Sequence, residues 1–102
     1  MITEIVLFKL PAGMTLEQYA RAARESAPAW AANPALIRKN YLYDAARGYG
    51  GGAYTWNSIA DAQQWHGEAF KRRIKELFGS EPTFTYYETP IIVDNVAQAI
   101  LP

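Results

Sequence analysis

The sequence predicts an α+β domain in which a four-stranded antiparallel sheet carries two helices on one face, in the ferredoxin-like order βαββαβ. Its length of 102 residues fits one domain spanning 1–102. Half of the residues are hydrophobic and 14% are aromatic, so the chain can build a core. Segments with strand-like alternation take turns with segments whose apolar residues recur every three or four positions.

The first two elements are a strand and a helix. Residues 2–10, ITEIVLFKL, alternate loosely and are rich in β-branched side chains. Thr15 and Gln18 fit a capping box, in which a hydroxyl and an amide satisfy two free N–H groups. One apolar stripe then follows at helical spacing: Leu16, Tyr19, Ala20, Ala23, Ala27 and Trp30. Pro28 removes a backbone hydrogen bond, so we expect a kink or a weak last turn before the Asn-Pro pair at 33–34 ends the helix.

The next two elements are predicted to form an antiparallel hairpin. Residues 36–45, LIRKNYLYDA, give the second strand, and residues 53–57, AYTWN, give the third. Between them, RGYGGG at 47–52 reads as a glycine-rich turn or bulge. This run is not a phosphate-binding loop, because it joins two strands and has no GK[ST] or following helix.

The last helix and strand follow similar signals. Ser58 and Asp61 form a capping pattern that opens a helix running to about Leu77. Residues 83–95, TFTYYETPIIVDN, give the last strand, with its proline marking an edge or a bulge. The tail at 96–102 is apolar, so we expect it to dock on the rest of the chain.

Both helices on one face would leave the other face of the sheet bare. By alternation, the outward set on the second strand is either Ile37, Tyr41 and Tyr43 or Leu36 and Leu42. Either set is too apolar to face water. We therefore expect a second copy to cover this face, which makes the protein a homodimer.

His66 is the only histidine, and it falls within the second predicted helix. At ~100° per residue, one face of that helix collects these apolar residues: Ile59, Ala62, Ala69, Phe70 and Leu77. His66 lies near the centre of this arc, Arg73 lies inside it, and Trp65 lies to the side. An inward histidine is either a hydrogen-bonded part of the core or the polar group of a cavity, and the sequence leaves both open.

The strands supply aromatic partners for such a site: Asn40, Tyr41 and Tyr43 on the second, Tyr54 and Trp56 on the third, and Tyr86, Tyr87 and Glu88 on the fourth. These side chains either fill a small core or line a flat slot with a few hydroxyls. A slot of that kind suits a small planar aromatic molecule.

Composition excludes several other classes. The net charge is zero and no basic stripe appears, which argues against nucleic acid as a partner. The N-terminal apolar run is too short for a signal peptide or a membrane span, so we expect a cytoplasmic protein that does not contact membranes. One histidine and no cysteine argue against a metal site, and no G-x-S-x-G motif supports a serine hydrolase.

The chain resembles the dimeric α/β-barrel superfamily, and specifically its small YdhR-like monooxygenases of the antibiotic-biosynthesis-monooxygenase type. The resemblance rests on the βαββαβ order, on ITEIVLFKLPAGMT and NPALIRKNYLYD in the first half, and on the block from GGGAYTWN to TPIIVDN in the second. It covers nearly the whole chain.

This resemblance implies a cofactor-independent monooxygenase that oxidises an aromatic or polyketide-like phenol in a pocket between the sheet and the helices. In that interpretation His66, Tyr54 and Asn40 are the catalytic residues. The substrate would be bound by Trp56, Arg73, Tyr41, Tyr86 and Trp65. Haem-degrading relatives carry an asparagine on the first strand, where this chain has Thr3, Glu4 and Lys9. The alternatives are a small-ligand-binding or stress-related protein without enzymatic activity, and a polyketide cyclase or isomerase of the same fold.

Overall fold

A computed structural model describes the whole chain, Met1–Pro102. Its elements are β1 (Ile2–Lys9), α1 (Leu16–Ala31), β2 (Leu36–Asp44), β3 (Tyr49–Trp56), α2 (Ile59–Trp65), α3 (Glu68–Phe78), β4 (Thr83–Glu88), β5 (Ile92–Asp94) and β6 (Ala99–Leu101). The first four strands make one antiparallel sheet in the order β2-β3-β1-β4. The predicted ferredoxin-like fold is therefore confirmed. None of the helices is long and apolar enough to cross a membrane.

The helices begin where the capping patterns predict. Thr15 accepts a hydrogen bond from the Gln18 N–H, and the Gln18 side chain accepts one from the Thr15 N–H. Ser58 accepts a hydrogen bond from the Asp61 N–H at the start of α2. Pro28 lies inside α1, which nevertheless continues to Ala31.

The prediction of one continuous second helix was wrong. The chain leaves helical geometry at His66, the C-cap of α2, and Gly67 then caps the new helix α3. On α3, the buried Ile74 and the partly buried Phe70 pack against the core. Leu77 lies at the edge of the same face and is more than half exposed.

Of the predicted turn at 47–52, only Arg47 and Gly48 lie in a turn, and Gly50–Gly52 belong to a strand, so the prediction of a third strand beginning at residue 53 was also wrong. β3 begins at Tyr49, and its glycines are buried. A Cβ on Gly50 would come within 2.7 Å of the Tyr19 ring, and one on Gly52 within 2.7 Å of the Tyr54 ring. The missing side chains thus leave room for tyrosine rings to lie against the sheet.

The last predicted strand is divided in two. β4 ends at Glu88, and residues 89–91 lead into a separate two-stranded hairpin formed by β5 and β6. The Thr89 N–H donates to the Met1 carbonyl, which closes the end of the sheet. An ion pair of 3.5 Å between Asp94 and Arg38 connects this hairpin to β2.

Strand register determines which side chains face the helices. Lys39, Tyr54, Glu4 and Tyr86 are paired across β2, β3, β1 and β4, so they form one row on the helix-facing side. Alternation sends Asn40, between Lys39 and Tyr41, to the outer side. Of the two outward sets considered for β2, neither is wholly correct: Leu42 faces outward as predicted, but a register shift after Leu36 leaves Leu36 opposite Trp56 and packed against the core.

Candidate functional site

A buried polar unit links β1, β3 and the end of α2. Oε1 of Glu4 lies 2.6 Å from Nδ1 of His66 and accepts a 2.9 Å hydrogen bond from Nε1 of Trp56. The side chains of Glu4 and His66 are both inaccessible to solvent, and Trp56 is fully buried. A buried carboxylate is stable only with such partners, so these three side chains fix one another.

Aromatic rings enclose His66 on every side. The nearest ring centroids are those of Phe70 at 4.1 Å and Tyr54 at 4.4 Å, and those of Trp30, Trp56 and Phe84 lie between 5.4 and 5.8 Å. Nε2 of His66 and Oε2 of Glu4 have no hydrogen-bond partner. The imidazole thus points toward the sheet, as the helical phase predicts, but it is packed into the core and does not line an opening.

A cavity of about 260 Å³ lies next to this unit, between α1, α3 and the sheet. Twelve of its seventeen lining residues are hydrophobic, which gives it the apolar character of a small-molecule pocket. Trp30, Tyr54 and Phe70 line the cavity with one side and contact His66 with the other. His66 is therefore separated from the cavity by one layer of aromatic rings.

Several hydroxyl groups reach the wall of the cavity. The Tyr19 hydroxyl donates to the Gly51 carbonyl at 2.8 Å and accepts from the Gly51 N–H at 2.9 Å, so it is held from both directions. The Ser26 and Tyr41 hydroxyls lie 2.5 Å apart. Burial raises the pKa of Tyr54 above its ordinary value, and the nearby Tyr41, Glu4 and Tyr19 add to the shift. Tyr54 therefore serves as a hydrogen-bonding phenol and not as a phenolate.

Lys39 contributes an amine to the same wall. Its Nζ lies 3.9 Å from the centroid of the Tyr41 ring and 4.6 Å from those of Trp30 and Tyr54. Burial lowers the pKa of Lys39 to about 7. Sequence reasoning missed this residue, although its place two positions before Tyr41 on an alternating strand puts both on one face.

The predicted site residues are only partly brought together. Tyr41, Tyr54 and Arg73 line the cavity, and Trp56 lies behind it with His66. Tyr86 lies opposite Glu4 on the neighbouring strand. Burial raises the pKa of Tyr86 to about 12, and the Glu4 carboxylate adds to this shift.

Asn40 and Trp65 do not join the others. Asn40 is exposed on the outer face of the sheet, because strand residues alternate between faces. Trp65 is the last residue of α2 and is 44% exposed. The structure therefore corrects the prediction that Asn40 and Trp65 belong to the site. No group of three histidine, cysteine or carboxylate side chains is positioned to hold a metal ion.

Comparison with known proteins bears on the fold. No protein-family model matches the chain, and no curated protein sequence matches it. Among solved structures, the chain is similar to a candidate antibiotic biosynthesis monooxygenase from Deinococcus radiodurans, with a TM-score of 0.65 and 13% sequence identity. The alignment covers 92% of this chain and 97% of that one. The likeness is one of fold.

Proposed function

We propose that the protein is a cofactor-independent monooxygenase that oxidises a planar phenolic or polyketide-like compound in the cavity between the sheet and the helices. The observation that carries this proposal is the cavity itself, with its aromatic walls and its hydroxyl and amine groups. Its volume of about 260 Å³ suits a small fused-ring molecule. The fold shared with a candidate monooxygenase supports the same reaction class.

The chemistry needs no bound redox group, because the substrate supplies the electrons. Loss of a proton from the substrate gives an electron-rich anion that reacts with dioxygen. For anthrone, one oxygen atom enters the product quinone and the other leaves as water, together with two substrate hydrogens. The protein must orient the ring, accept the proton and exclude bulk water.

The residues that line and support the cavity can share these tasks. Tyr54 offers a phenol to the substrate oxygen, and Arg73 at the edge of the cavity offers a cation to an anionic group. We assign His66 and Trp56 a positioning role, because their hydrogen bonds to Glu4 hold the wall that Tyr54 and its neighbours form. Rigid support of this kind sets the orientation of groups that touch the substrate.

We also propose that the working form is a homodimer joined through the outer face of the sheet. On that face Leu7 is 38% exposed and Tyr87 is 58% exposed. The β5–β6 hairpin exposes further apolar side chains: Ile91, Val93, Val96 and Ile100. Exposed apolar side chains in such number favour a protein partner over water. A second copy would supply the same face in return.

Oxygen consumption tests the proposed activity. Metal-stripped protein is mixed with anthrone, without flavin, and oxygen uptake is compared with that of the variant Ala23→Leu, which fills part of the cavity. Ala69→Leu is the matched control, since Ala69 is exposed on α3 and does not line the cavity. The proposal predicts uptake in the native protein and the control, and loss in Ala23→Leu. Anthrone bound without oxygen uptake would instead favour a binding protein, and product without oxygen a cyclase.

A further inference from the structure

Lys39 occupies an environment that ordinary surface lysines do not have. Its Nζ is set among the rings of Trp30, Tyr41 and Tyr54, within 4.6 Å of each centroid. The side chain lines the cavity, and no carboxylate lies within ion-pair distance of it. An amine enclosed in this way has lost much of its hydration without gaining a counter-ion, so its uncharged form is favoured.

The charged groups around the cavity come from each neighbouring element. α1 contributes Glu25 together with the Ser26 hydroxyl, and α3 contributes Arg73. Arg38, next to Lys39 on β2, is directed to the opposite face and is paired with Asp94. Arg73 and Glu25 are both exposed, and Glu25 forms no ion pair with Lys39.

We infer that the Lys39 amine accepts the proton of an acidic hydroxyl on an aromatic ligand bound in this cavity. The ligand class in this inference rests on the proposed oxygenase function. The step balances simply: the ligand O–H bond breaks, its electron pair stays on oxygen, and the proton forms a fourth bond to Nζ. The products are an aryl oxide anion and an ammonium ion in contact.

The surroundings stabilise both products of this transfer. The faces of the three aromatic rings attract the new ammonium, an interaction that strengthens when water is excluded. Tyr54 from the sheet and Arg73 from α3 also line the cavity, so a phenol and a guanidinium are available to the new anion. Burial lowers the pKa of Lys39 to about 7, so the amine is largely uncharged at pH 8 and can accept a proton, which an exposed lysine cannot. Because the pKa of a free phenol is near 10, the transfer depends on the attraction between the aryl oxide anion and the new ammonium.

Binding of 2-naphthol at pH 8 tests the inference without any turnover. Free naphthol is mainly neutral at this pH, as an ordinary phenol has a pKa near 10. Its anion absorbs at longer wavelength than the neutral form. Calorimetry in two buffers of different ionisation enthalpy counts the protons released. The variants are Lys39→Met and Lys39→Arg, and the control is Lys75→Met, whose lysine is exposed on α3.

The native protein and Lys75→Met are expected to bind the anion with almost no proton release, because the amine retains the proton. Lys39→Arg, which is already charged, is expected to bind the anion and release about one proton per site. Lys39→Met is expected to lose the anion band. Neutral naphthol in the native protein, an undiminished anion band in Lys39→Met, or no binding at all would overturn the inference. A bound anion together with no oxygen uptake from anthrone would refute the proposed oxygenase and leave the inference standing.

Discussion

Replacement of His66 by alanine is expected to destabilise the protein strongly. The substitution removes one partner of a fully buried pair and leaves the Glu4 carboxylate with Trp56 as its only donor. Breaking a buried pair by deleting one partner costs about 3–5 kcal/mol. A domain of this size has a total stability of about 5–15 kcal/mol, so the loss is a large share of it. At about 4 °C or more per kcal/mol, the melting temperature falls by at least about 12 °C.

Urea unfolding followed by far-ultraviolet circular dichroism measures this loss. His66→Phe keeps an aromatic ring and removes the nitrogen atoms, so it avoids the cavity that alanine leaves and reports mainly on the polar part of the effect. Trp65→Ala is the control on the same helix, where the exposed side chain predicts a change within about 1 kcal/mol. We expect His66→Phe to retain most of the destabilisation.

The double variant Glu4→Met/His66→Phe tests whether the lost stability comes from the Glu4 carboxylate that His66→Phe leaves without its partner. Since no charge then remains in the core, it is expected to be more stable than His66→Phe alone. A cost below about 1 kcal/mol for His66→Ala would refute the assignment of His66 to a packed core. It would then favour a histidine that faces an opening, as one of the two sequence interpretations holds.

Three further predictions concern other parts of the molecule. Gly51→Ala is expected to cost about 3 kcal/mol or more in thermal unfolding, because a Cβ there collides with the Val6 carbonyl oxygen; Gly67→Ala, where a Cβ would meet only an ordinary contact at 3.7 Å, is the milder control. The free energy of unfolding is expected to rise between pH 7 and 10 more steeply in the native protein than in Lys39→Met. In this range Lys39 is largely unprotonated in the folded protein but still protonated in the unfolded chain, so raising the pH favours the folded state. Equal slopes in the two proteins would contradict the lowered pKa. Leu7→Asp is expected to give a monomer in sedimentation; an unchanged dimer would place the interface elsewhere.

The order of elements could be predicted from the sequence because its signals are local. The capping pairs at Thr15 and Ser58 satisfy N–H groups within three residues, and both helices begin there. Alternation and helical spacing likewise depend on near neighbours. Such signals do not require knowledge of what lies across the fold.

The errors arose where distant contacts decide the structure. Glycines weaken strands, so Gly50 suggests a turn; the Tyr19 ring, which comes from α1 and lies against this position, explains why a glycine lies in β3 here. The helix stripe places Leu16 inside, but Leu16 is the first residue of α1 and is 61% exposed. Of the residues in that stripe only Tyr19 is buried.

The candidate site shows the same limit. Helical phase turned His66 inward, yet the partner that fills its environment, Glu4, comes from a strand 62 residues away. Lys39 was missed because lysine is usually exposed, and its burial depends on Trp30 from a different element. A cavity between elements cannot be read from the residues of one element alone.

We expect ligands to enter the cavity between α1, α3 and the sheet, and not the space around His66. A crystal structure with 2-naphthol bound would locate the ligand directly. The account predicts the naphthol ring against Tyr54, its oxygen beside Nζ of Lys39, and the Glu4–His66 contact unchanged. Two results would contradict it: naphthol hydrogen-bonded to Nε2 of His66 after displacement of Phe70, or naphthol bound only on the outer face of the sheet.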